Sequence, residues 1–200
     1  MWDARCKKCR YFGEKLFLKG EKCFTPKCPL VRKGAKVSRG RYSGYKKQLI
    51  EKQKVKLIYG IRERQLKRYF EEALRKEVAT PQALGQILEL RMDNVVFRLG
   101  FAPSRSVARQ LISHGHFLLN GKPHNISSTI LKVGDIVSIK PNSLKKKIFQ
   151  DLTERIKKIN VPKYLHLDLK NIEGKVVSVP DMEEMRIPFD LRLVVEFYSR

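Results

Sequence analysis

The apolar residues in the centre of the chain recur with the period of an amphipathic helix. Between residues 46 and 78 they return every three to four positions, and Gly60 divides this stretch into two helices. The second of these helices is predicted to run from about residue 61 to residue 77. Lys52, Lys54 and Lys56 fall off the apolar stripe of the first helix. The predicted buried face of the second comprises Leu66, Tyr69, Phe70, Ala73 and Leu74.

Two further helices are predicted from the residues at their ends. Residues 80–100 open with Thr-Pro, a typical N-cap and first helical residue, and close with a glycine. Residues 104–113 open with a capping serine and carry a shorter apolar stripe. In that short helix Arg105 and Arg109 are four positions apart, so both are expected on one outward face.

After residue 115 the apolar residues alternate with polar ones, which is the period of a β-strand. Residues 117–123 are predicted to form a hairpin with a turn at Asn120-Gly121, and residues 131–139 a second pair of strands. Residues 143–160 have the pattern of a basic amphipathic helix. The remaining predicted strands lie at residues 165–169, 177–179 and 191–200.

The chain carries a large excess of positive charge. Its 43 Lys and Arg residues outnumber 20 Asp and Glu residues, which gives a formal net charge of +23 over 200 residues. Such a surplus repels itself in a compact fold unless a polyanion neutralises it, so nucleic acid is the leading expected partner and an anionic membrane the second. No apolar run is long enough to span a bilayer, and the N-terminus lacks the apolar core of a secretory signal. A hydrophobic content of 42% supports a globular fold.

All four cysteines of the chain, Cys6, Cys9, Cys23 and Cys28, lie near its N-terminus. Two close pairs separated by a short loop can hold one tetrahedral metal ion, and the alternative is four unpaired or disulfide-linked thiols. The missing secretory signal favours a reducing compartment, where metal binding is more common than disulfides. Four thiolates fill every position of a tetrahedral ion, so the predicted site is structural. Zinc is the expected metal, with an iron–sulfur cluster as the alternative.

Several stretches of the sequence resemble a known family. Residues 98–116, read with Asn120-Gly121 and Gly134-Asp135, resemble the small RNA-binding module named after ribosomal protein S-four. The stretches that resemble the bacterial-type S-four family itself are the segment that holds the four cysteines (residues 6–28, the cysteine segment) and residues 51–55, 59–61, 63–65, 90–96 and 196–200. Together they cover nearly the whole chain in order. The basic stretch at residues 31–45 lacks the Pro-Gly-Gln-His-Gly sequence often found in the family.

This resemblance implies a structural RNA-binding protein of the small ribosomal subunit, not an enzyme, in the cytoplasmic ribosome of a bacterium or in an organelle ribosome. The resemblance also implies a primary assembly protein, one that binds the 5′ domain of the small-subunit ribosomal RNA. It lies beside the S-five protein, near the channel through which mRNA enters, and mRNA is a further implied contact. No membrane partner is implied.

The implied fold class is α+β with three parts. A four-cysteine metal knuckle with a basic arm occupies residues 1–45. A mainly helical domain occupies residues 46–90 and is completed by residues 151–200. A small α+β RNA-binding module is inserted between them, at residues 91–150.

The resemblance and the basic composition together predict the RNA contacts. Arg105 and Arg109 are expected to hold phosphates, with a solvated helix face as the alternative. His114 and His116 are expected near RNA or in local turn hydrogen bonds, and Tyr59 near RNA or in packing. The full predicted set is Lys7, Lys8, Arg10, Lys33, Lys36, Arg39, Arg41, Tyr42, Lys46, Lys54, Tyr59, Arg62, Arg64, Gln65, Arg68, Arg98, Ser104, Arg105, Arg109, His114, Gly115, His116, Asn120 and Lys122.

Two other functions fit parts of the sequence. Arg91-Met92-Asp93 is similar to the Arg-Leu-Asp catalytic motif of pseudouridine synthases, but the continuation of that motif is missing. Asp93 is therefore interpreted as a helix residue that pairs with a local arginine. A stress-type binder of stalled ribosomal subunits would carry the same module, but that class lacks a four-cysteine knuckle.

Overall fold

A computed structural model describes residues 5–33, 42–185 and 187–200. It divides the chain into two compact units. The first unit combines Met1–Pro81 with Ile187–Arg200, and the second is Gln82–Arg186. None of the helices in the described ranges combines the length and the apolar character needed to cross a bilayer.

The units are built from eleven helices and five strands in the described ranges. The helices are α1 (Arg5–Phe12), α2 (Pro29–Lys33), α3 (Gly44–Tyr59), α4 (Glu63–Leu74), α5 (Thr80–Glu89), α6 (Met92–Arg98), α7 (Arg105–Ser113), α8 (Pro141–Leu144), α9 (Leu152–Lys158), α10 (Met182–Met185) and α11 (Leu191–Tyr198). The strands are β1 (Phe117–Leu119), β2 (Lys122–His124), β3 (Ile136–Ile139), β4 (Leu165–Asp168) and β5 (Glu173–Val176). Two short 3-10 turns lie at Gly20–Cys23 and Lys147–Phe149.

The first unit is helical, and α3 is its central element. The hydroxyl of Ser43 caps α3 by accepting from the backbone N–H of Lys46, and the helix ends at Gly60 in the left-handed conformation with φ 59°. Helix α11 packs on α3. The rings of Phe70 and Tyr198 stack with centroids 5.2 Å apart, so the end of the chain closes the core of this unit.

The second unit contains one antiparallel sheet. Its strand order is β2-β1-β3-β5-β4, with Phe117 of β1 opposite Ile139 of β3 and Val137 of β3 opposite Gly174 of β5. The hydrophobic core of the unit is continuous from α6 and α7 to this sheet. A side chain at Gly174 would collide with the buried Leu99, so a close approach requires glycine there.

The observed units differ from the predicted domains at residues 82–90 and 151–186. Both segments belong to the second unit, together with the predicted module. Strand β5 extends the sheet by pairing with β3, and the hydroxyl of Tyr164 donates to a carboxylate oxygen of Glu89. These contacts connect residues that are distant in sequence, so the hydrophobic period does not reveal them.

In the first unit, the predicted helix pair and its break at Gly60 are confirmed. Leu74 is the exception on the predicted buried face, because it is the last residue of α4 and its side chain is exposed. Lys52 and Lys54 are buried, although both fall off the apolar stripe of α3. This helix is covered by α11 and by Glu14 from the cysteine segment, so more than its apolar face is enclosed.

The predicted helix at residues 80–100 is two helices. The backbone N–H of Met92 donates to the carbonyl of Thr129, and that of Leu131 donates to the carbonyl of Leu90. Arg91 forms an isolated β-bridge with Ile130 between these bonds. Pairing with a distant segment therefore separates α5 from α6.

The predicted helix at residues 143–160 is broken into α8, a 3-10 turn and α9. The turn shifts the inward face by one position, so Phe149 is buried while the neighbouring Ile148 is exposed. The buried Phe149 ring lies 6.4 Å from the ring of Phe117, which ties the turn to the sheet.

Three predicted strand segments are wrong in part or in whole. Residues 191–198 form α11, because the Asp190 carboxylate caps the helix at Arg192 N–H and the apolar residues fit a helical face as well as a strand. Of residues 131–139 only β3 is a strand. Residues 177–179 follow β5 and expose both of their valines.

Candidate nucleic-acid interface

A buried carboxylate organises one side of the second unit. Glu89 is fully buried and accepts hydrogen bonds from Tyr164 Oη (2.7 Å), Asn94 Nδ2 (2.9 Å) and both Nε and Nη2 of Arg98 (2.9 and 3.0 Å). Arg98 also donates to the carbonyl of Met185 at 2.9 Å. Arg98 was expected to contact RNA, but this geometry makes it a structural partner of Glu89.

A second carboxylate, Asp93, lies one position before Asn94 on α6 and is also buried. It accepts from Nε and Nη2 of Arg91 at 3.0 and 2.8 Å, and from Nε and Nη2 of Arg109 at 3.1 and 2.5 Å. The expected pairing of Asp93 with a local arginine is confirmed. Helix α6 therefore anchors an arginine of α7 through a side chain that solvent does not reach.

Arg105 is anchored in a similar way. Its Nε donates to Oδ1 of Asn94 at 2.7 Å, and its guanidinium lies over the ring of Phe97 at 4.6 Å. Arg105 and Arg109 are both half-buried at the surface of α7. The predicted outward face therefore exists, but it is not a freely solvated one, because the buried Asp93 and Asn94 restrict the two side chains.

Ser104, Gly115 and Asn120 make the local contacts of turns. The Ser104 hydroxyl accepts from the backbone N–H of Val107 and caps α7. Gly115 has φ 71° and is half-buried after the helix. The Asn120 amide donates to Asp135 and accepts from the N–H of Ile136, both at 2.8 Å.

The two histidines near the end of α7 have different surroundings. His114 is exposed, whereas His116 is buried and its Nδ1 lies 2.9 Å from Oγ of Ser143. Burial lowers the pKa of His116, and the charges of Lys146, His114 and Lys140 lower it further. His116 is therefore neutral near pH 7 and acts in packing, while His114 and the exposed Lys122 remain accessible to a ligand.

The exposed face in the first half of α4 is basic, whereas Glu71 and Glu72 are exposed near its end. Arg62, Arg64 and Arg68 are exposed, Lys67 lies between them, and Gln65 is half-buried. Because residues three and four apart share a helix face, Arg64, Lys67 and Arg68 form a compact patch. We call these three residues the α4 patch.

Glu63, at the start of α4, closes a charged cluster. It accepts from Lys52 (2.9 Å), Lys56 (2.8 Å) and the hydroxyl of Tyr198 (2.6 Å). Partial burial acts to raise the pKa of Glu63, but the hydrogen bonds from Lys56, Tyr198 and Lys52 outweigh it and lower the pKa from 4.5 to about 2. Burial and the Glu63 carboxylate raise the pKa of Tyr198. The cluster thus ties α11 to α4.

Replacing Glu63 with glutamine is expected to change how stability depends on acid. Because its folded pKa lies below 4.5, Glu63 stabilises the fold above that pH, and this contribution is lost as the pH falls from 4.5 to about 2. The Glu63 side chain is 44% exposed, so solvent screening limits the loss in the variant to about 1 kcal/mol at pH 7. Urea unfolding between pH 2 and pH 7 measures both quantities, and an unchanged acid limb would contradict the assignment.

Two residues that were expected to contact RNA are buried in the first unit. Lys54 pairs with Glu14 at 2.7 Å and with Glu51 at 2.8 Å. Burial acts to lower the pKa of Lys54, but the hydrogen bonds to both carboxylates raise it, so the ammonium stays charged. Tyr59 is 2% exposed and packs edge-on against Phe189. The geometry assigns both residues to the interior, which for Tyr59 is the packing alternative.

The four cysteines line one small cavity of about 20 Å³ together with Arg5, Leu18, Lys19, Pro29 and Leu30. Burial raises the pKa of the Cys9 thiol, and the charges of the other three cysteines add to this despite a hydrogen bond with the backbone of Leu16. Within the described ranges, no group of three or more His, Cys, Asp or Glu residues is arranged so that it could hold a metal ion. The metal-bound knuckle therefore stays a prediction, supported by the shared cavity but not by ligand geometry.

The remaining predicted contacts lie in and after the cysteine segment. Lys7 and Arg10 are exposed and Lys8 is half-buried on α1. Tyr42 is half-buried, and the ammonium of the exposed Lys46 lies over its ring at 4.6 Å. Lys36, Arg39 and Arg41 lie outside the residues that the structure describes, as does the side chain of Lys33.

Sequence reasoning missed the two polar anchors Asn94 and Glu89. Both are polar residues that lie next to apolar positions of a helix, and an amide or carboxylate in such a place normally faces solvent. For Asn94 the available signal was its position within the resemblance, in the stretch 90–96, whereas Glu89 lies outside that stretch and carried no such signal. Their function in orienting arginines becomes visible only when α5, α6 and α7 are placed together.

Comparisons with known proteins cover nearly the whole chain. The model of the ribosomal protein S4/S9 N-terminal domain matches residues 2–89, and the model of the S4 domain matches residues 90–137. Among the relatives is the small ribosomal subunit protein uS4 of Halothermothrix orenii, 46% identical over 98% of this chain and 96% of the relative. The uS4 proteins of Natranaerobius thermophilus (45%, 98% and 96%) and Ruminiclostridium cellulolyticum (44%, 99% and 98%) are similarly close.

These matches confirm the resemblance seen in the sequence. They include the segment that carries α4 and the segment that carries Asp93, Asn94, Arg105 and Arg109. The chain belongs to the uS4 family of small ribosomal subunit proteins.

Proposed function

We propose that this protein is a structural constituent of the small ribosomal subunit that binds ribosomal RNA with α4 and α7. The observation that carries the proposal is the anchoring of Arg105 and Arg109 by buried residues inside the matched S4 domain. A guanidinium that is already oriented loses less side-chain entropy when it binds a phosphate. RNA helices are recognised mainly by shape, phosphates and 2′-hydroxyls, which is the chemistry these side chains offer.

The protein is not an enzyme, in agreement with its family. The residue that would be the catalytic aspartate of a pseudouridine synthase is Asp93, whose side chain is 2% exposed and bonded to two arginines. A nucleophile has to reach its substrate, so this carboxylate is poorly suited to catalysis. Its geometry instead supports a structural role beneath the RNA-binding helix.

The proposed RNA partner is the 5′ domain of the small-subunit ribosomal RNA, with this protein as an early binder that nucleates subunit assembly. The resemblance also leads us to propose a position beside the S-five protein and near the channel through which mRNA enters. The net charge of +23 supports a site enclosed by RNA, because phosphates neutralise the repulsion between the basic side chains.

Sedimentation of cell extracts tests this assignment directly. A tagged copy of the full chain is expected to migrate with small ribosomal subunits and to remain with them after a moderate salt wash. A copy that carries glutamine at all three positions of the α4 patch should shift toward the top of the gradient. Migration of the unaltered chain as free protein would overturn the proposal.

We also propose that Cys6, Cys9, Cys23 and Cys28 bind one zinc ion, with an iron–sulfur cluster as the alternative. The support is that all four thiols line one cavity. The ion would connect α1 to α2 across a segment that is too small to form its own core. Because four thiolates leave no open position, the ion would stabilise the segment and supply no catalysis.

Replacing Cys9 with serine is expected to abolish metal binding and to loosen the segment at residues 5–33. Metal analysis of the purified protein should give about one zinc ion per chain, and the variant should retain none. An iron–sulfur cluster would instead give iron and visible absorption. Serine at exposed Thr25 is the control and should leave the metal content unchanged. Four thiols that react equally fast with and without added zinc would contradict the proposal.

A further inference from the structure

A groove of about 550 Å³ opens on the first unit between the end of α1 and the start of α3. Its lining combines three aromatic side chains with an excess of cationic ones. These aromatic and cationic side chains include Arg10, Tyr11, Phe12, Tyr42, Lys46 and Lys47. We call this feature the aromatic groove. Its volume falls within the usual range of small-ligand sites, about 300–1,000 Å³.

The electrostatics of the aromatic groove favour an anion. Its two carboxylates, Glu14 and Glu51, both pair with the buried Lys54. Since Lys54 already offsets part of that negative charge, Arg10, Lys46 and Lys47 leave the groove positive. Lys46 and Lys47 are exposed on the first turn of α3 and can move toward a phosphate.

The aromatic side chains provide a flat apolar surface beside these cations. Tyr11 is 78% exposed, and its ring packs edge-on against Phe12 with centroids 5.0 Å apart. Despite this contact most of the Tyr11 side chain is exposed, so its ring remains accessible to a ligand. Tyr42 is oriented by the Lys46 ammonium over its ring. An exposed aromatic ring next to several cations is typical of sites for unpaired nucleotides, where the base stacks and the phosphate pairs.

We propose that the aromatic groove binds an unpaired nucleotide of RNA, with its base on Tyr11 and its phosphate at Lys46 and Lys47. This inference rests on the proposed RNA-binding function and adds a site that requires a free base. A base inside a double helix is already stacked on both sides and cannot reach Tyr11. The groove therefore distinguishes single-stranded RNA from the paired RNA that α4 and α7 contact.

Binding of a short unpaired oligoribonucleotide to the full chain tests the site, with an abasic strand of the same length and charge as the reference. The unpaired strand is expected to bind about tenfold more tightly than the abasic strand, because only the former can stack. Tyr11→Ala should remove that difference, and Tyr11→Phe should retain it. Phe24→Ala is the matched control, since Phe24 is 74% exposed but does not line the groove.

A photocrosslink provides a second readout that does not depend on affinity. A 4-thiouridine in the strand should crosslink to Tyr11 or Tyr42, and Lys47→Gln should reduce the yield without unfolding the protein, because Lys47 is exposed. Equal binding of the abasic and unpaired strands, or crosslinks confined to α4 and α7, would overturn the proposal. Binding of the 5′-domain RNA by the same sample shows separately whether the proposed function holds.

The unpaired nucleotide can come from the ribosomal RNA itself or from a messenger RNA. Saturating the protein with the 5′-domain fragment before adding the oligonucleotide distinguishes these sources. Loss of the crosslink means that the ribosomal RNA occupies the aromatic groove. A crosslink that persists means that the groove stays open to another strand, and in either case the site is confirmed.

Discussion

Replacing Glu89 with alanine is expected to lower the free energy of unfolding by about 3–5 kcal/mol. The substitution removes the carboxylate that accepts from Arg98, and it leaves the hydroxyl of Tyr164 and the amide of Asn94 each short of one acceptor. Buried donors that lose their acceptor keep the full cost of leaving water. Chemical denaturation of the full chain measures the loss, and the second unit should unfold first.

The matched control is Glu154→Ala on α9. Glu154 is 80% exposed, and its only ion pair in the described residues is a 4.0 Å contact with Lys158. This substitution should change the free energy of unfolding by less than about 0.5 kcal/mol. If both variants lost similar stability, the network around Glu89 would not be the organising element of the second unit.

Changing Arg64, Lys67 and Arg68 of the α4 patch to glutamine is expected to weaken binding of the 5′-domain RNA by about 100-fold at physiological salt. Each lost phosphate contact should also reduce the slope of log affinity against log salt by about one. The three side chains are exposed and glutamine has a similar helix propensity, so the fold should be retained. Filter binding across a salt series measures the affinity and the slope together.

The control for this variant removes the same charge elsewhere. Lys146, Lys157 and Lys158 are exposed near or on α9, and all three can be changed to glutamine. If α4 recognises a defined surface of the RNA, this control should weaken binding much less. Equal losses in both variants would mean that only the total charge matters.

The elements with local signals could be predicted from the sequence. Gly60 ends α3 in the left-handed conformation, and Ser104 caps α7, as their positions in the apolar pattern indicated. The Asn120-Gly121 hairpin also forms as expected, with both residues at positive φ. In each case the determining interaction lies within a few residues.

The features that the sequence did not reveal depend on distant partners. Residues 191–198 alternate like a strand but fold as a helix, because α11 packs on α3 from the far end of the chain. In the sequence Lys54 has the pattern of a surface lysine, but in the structure it is buried and paired with Glu14 and Glu51.

The candidate site likewise combines features that the sequence reveals with features that depend on distant partners. Its basic residues and its family were evident from the sequence, whereas the anchoring of Arg105 and Arg109 was not. Since Asp93 and Asn94 hold these arginines from beneath, changing either arginine to alanine alters stability as well as RNA affinity. An exposed and unpaired arginine would affect affinity alone.

The central claim is that this protein recognises a particular folded RNA and does not merely coat RNA with positive charge. It is tested most directly by comparing affinities for a small-subunit 5′-domain fragment and for an unrelated structured RNA of equal length, across a salt series. The account predicts that at physiological salt the 5′-domain fragment binds orders of magnitude more tightly. Equal affinities that decline together as salt rises would contradict it.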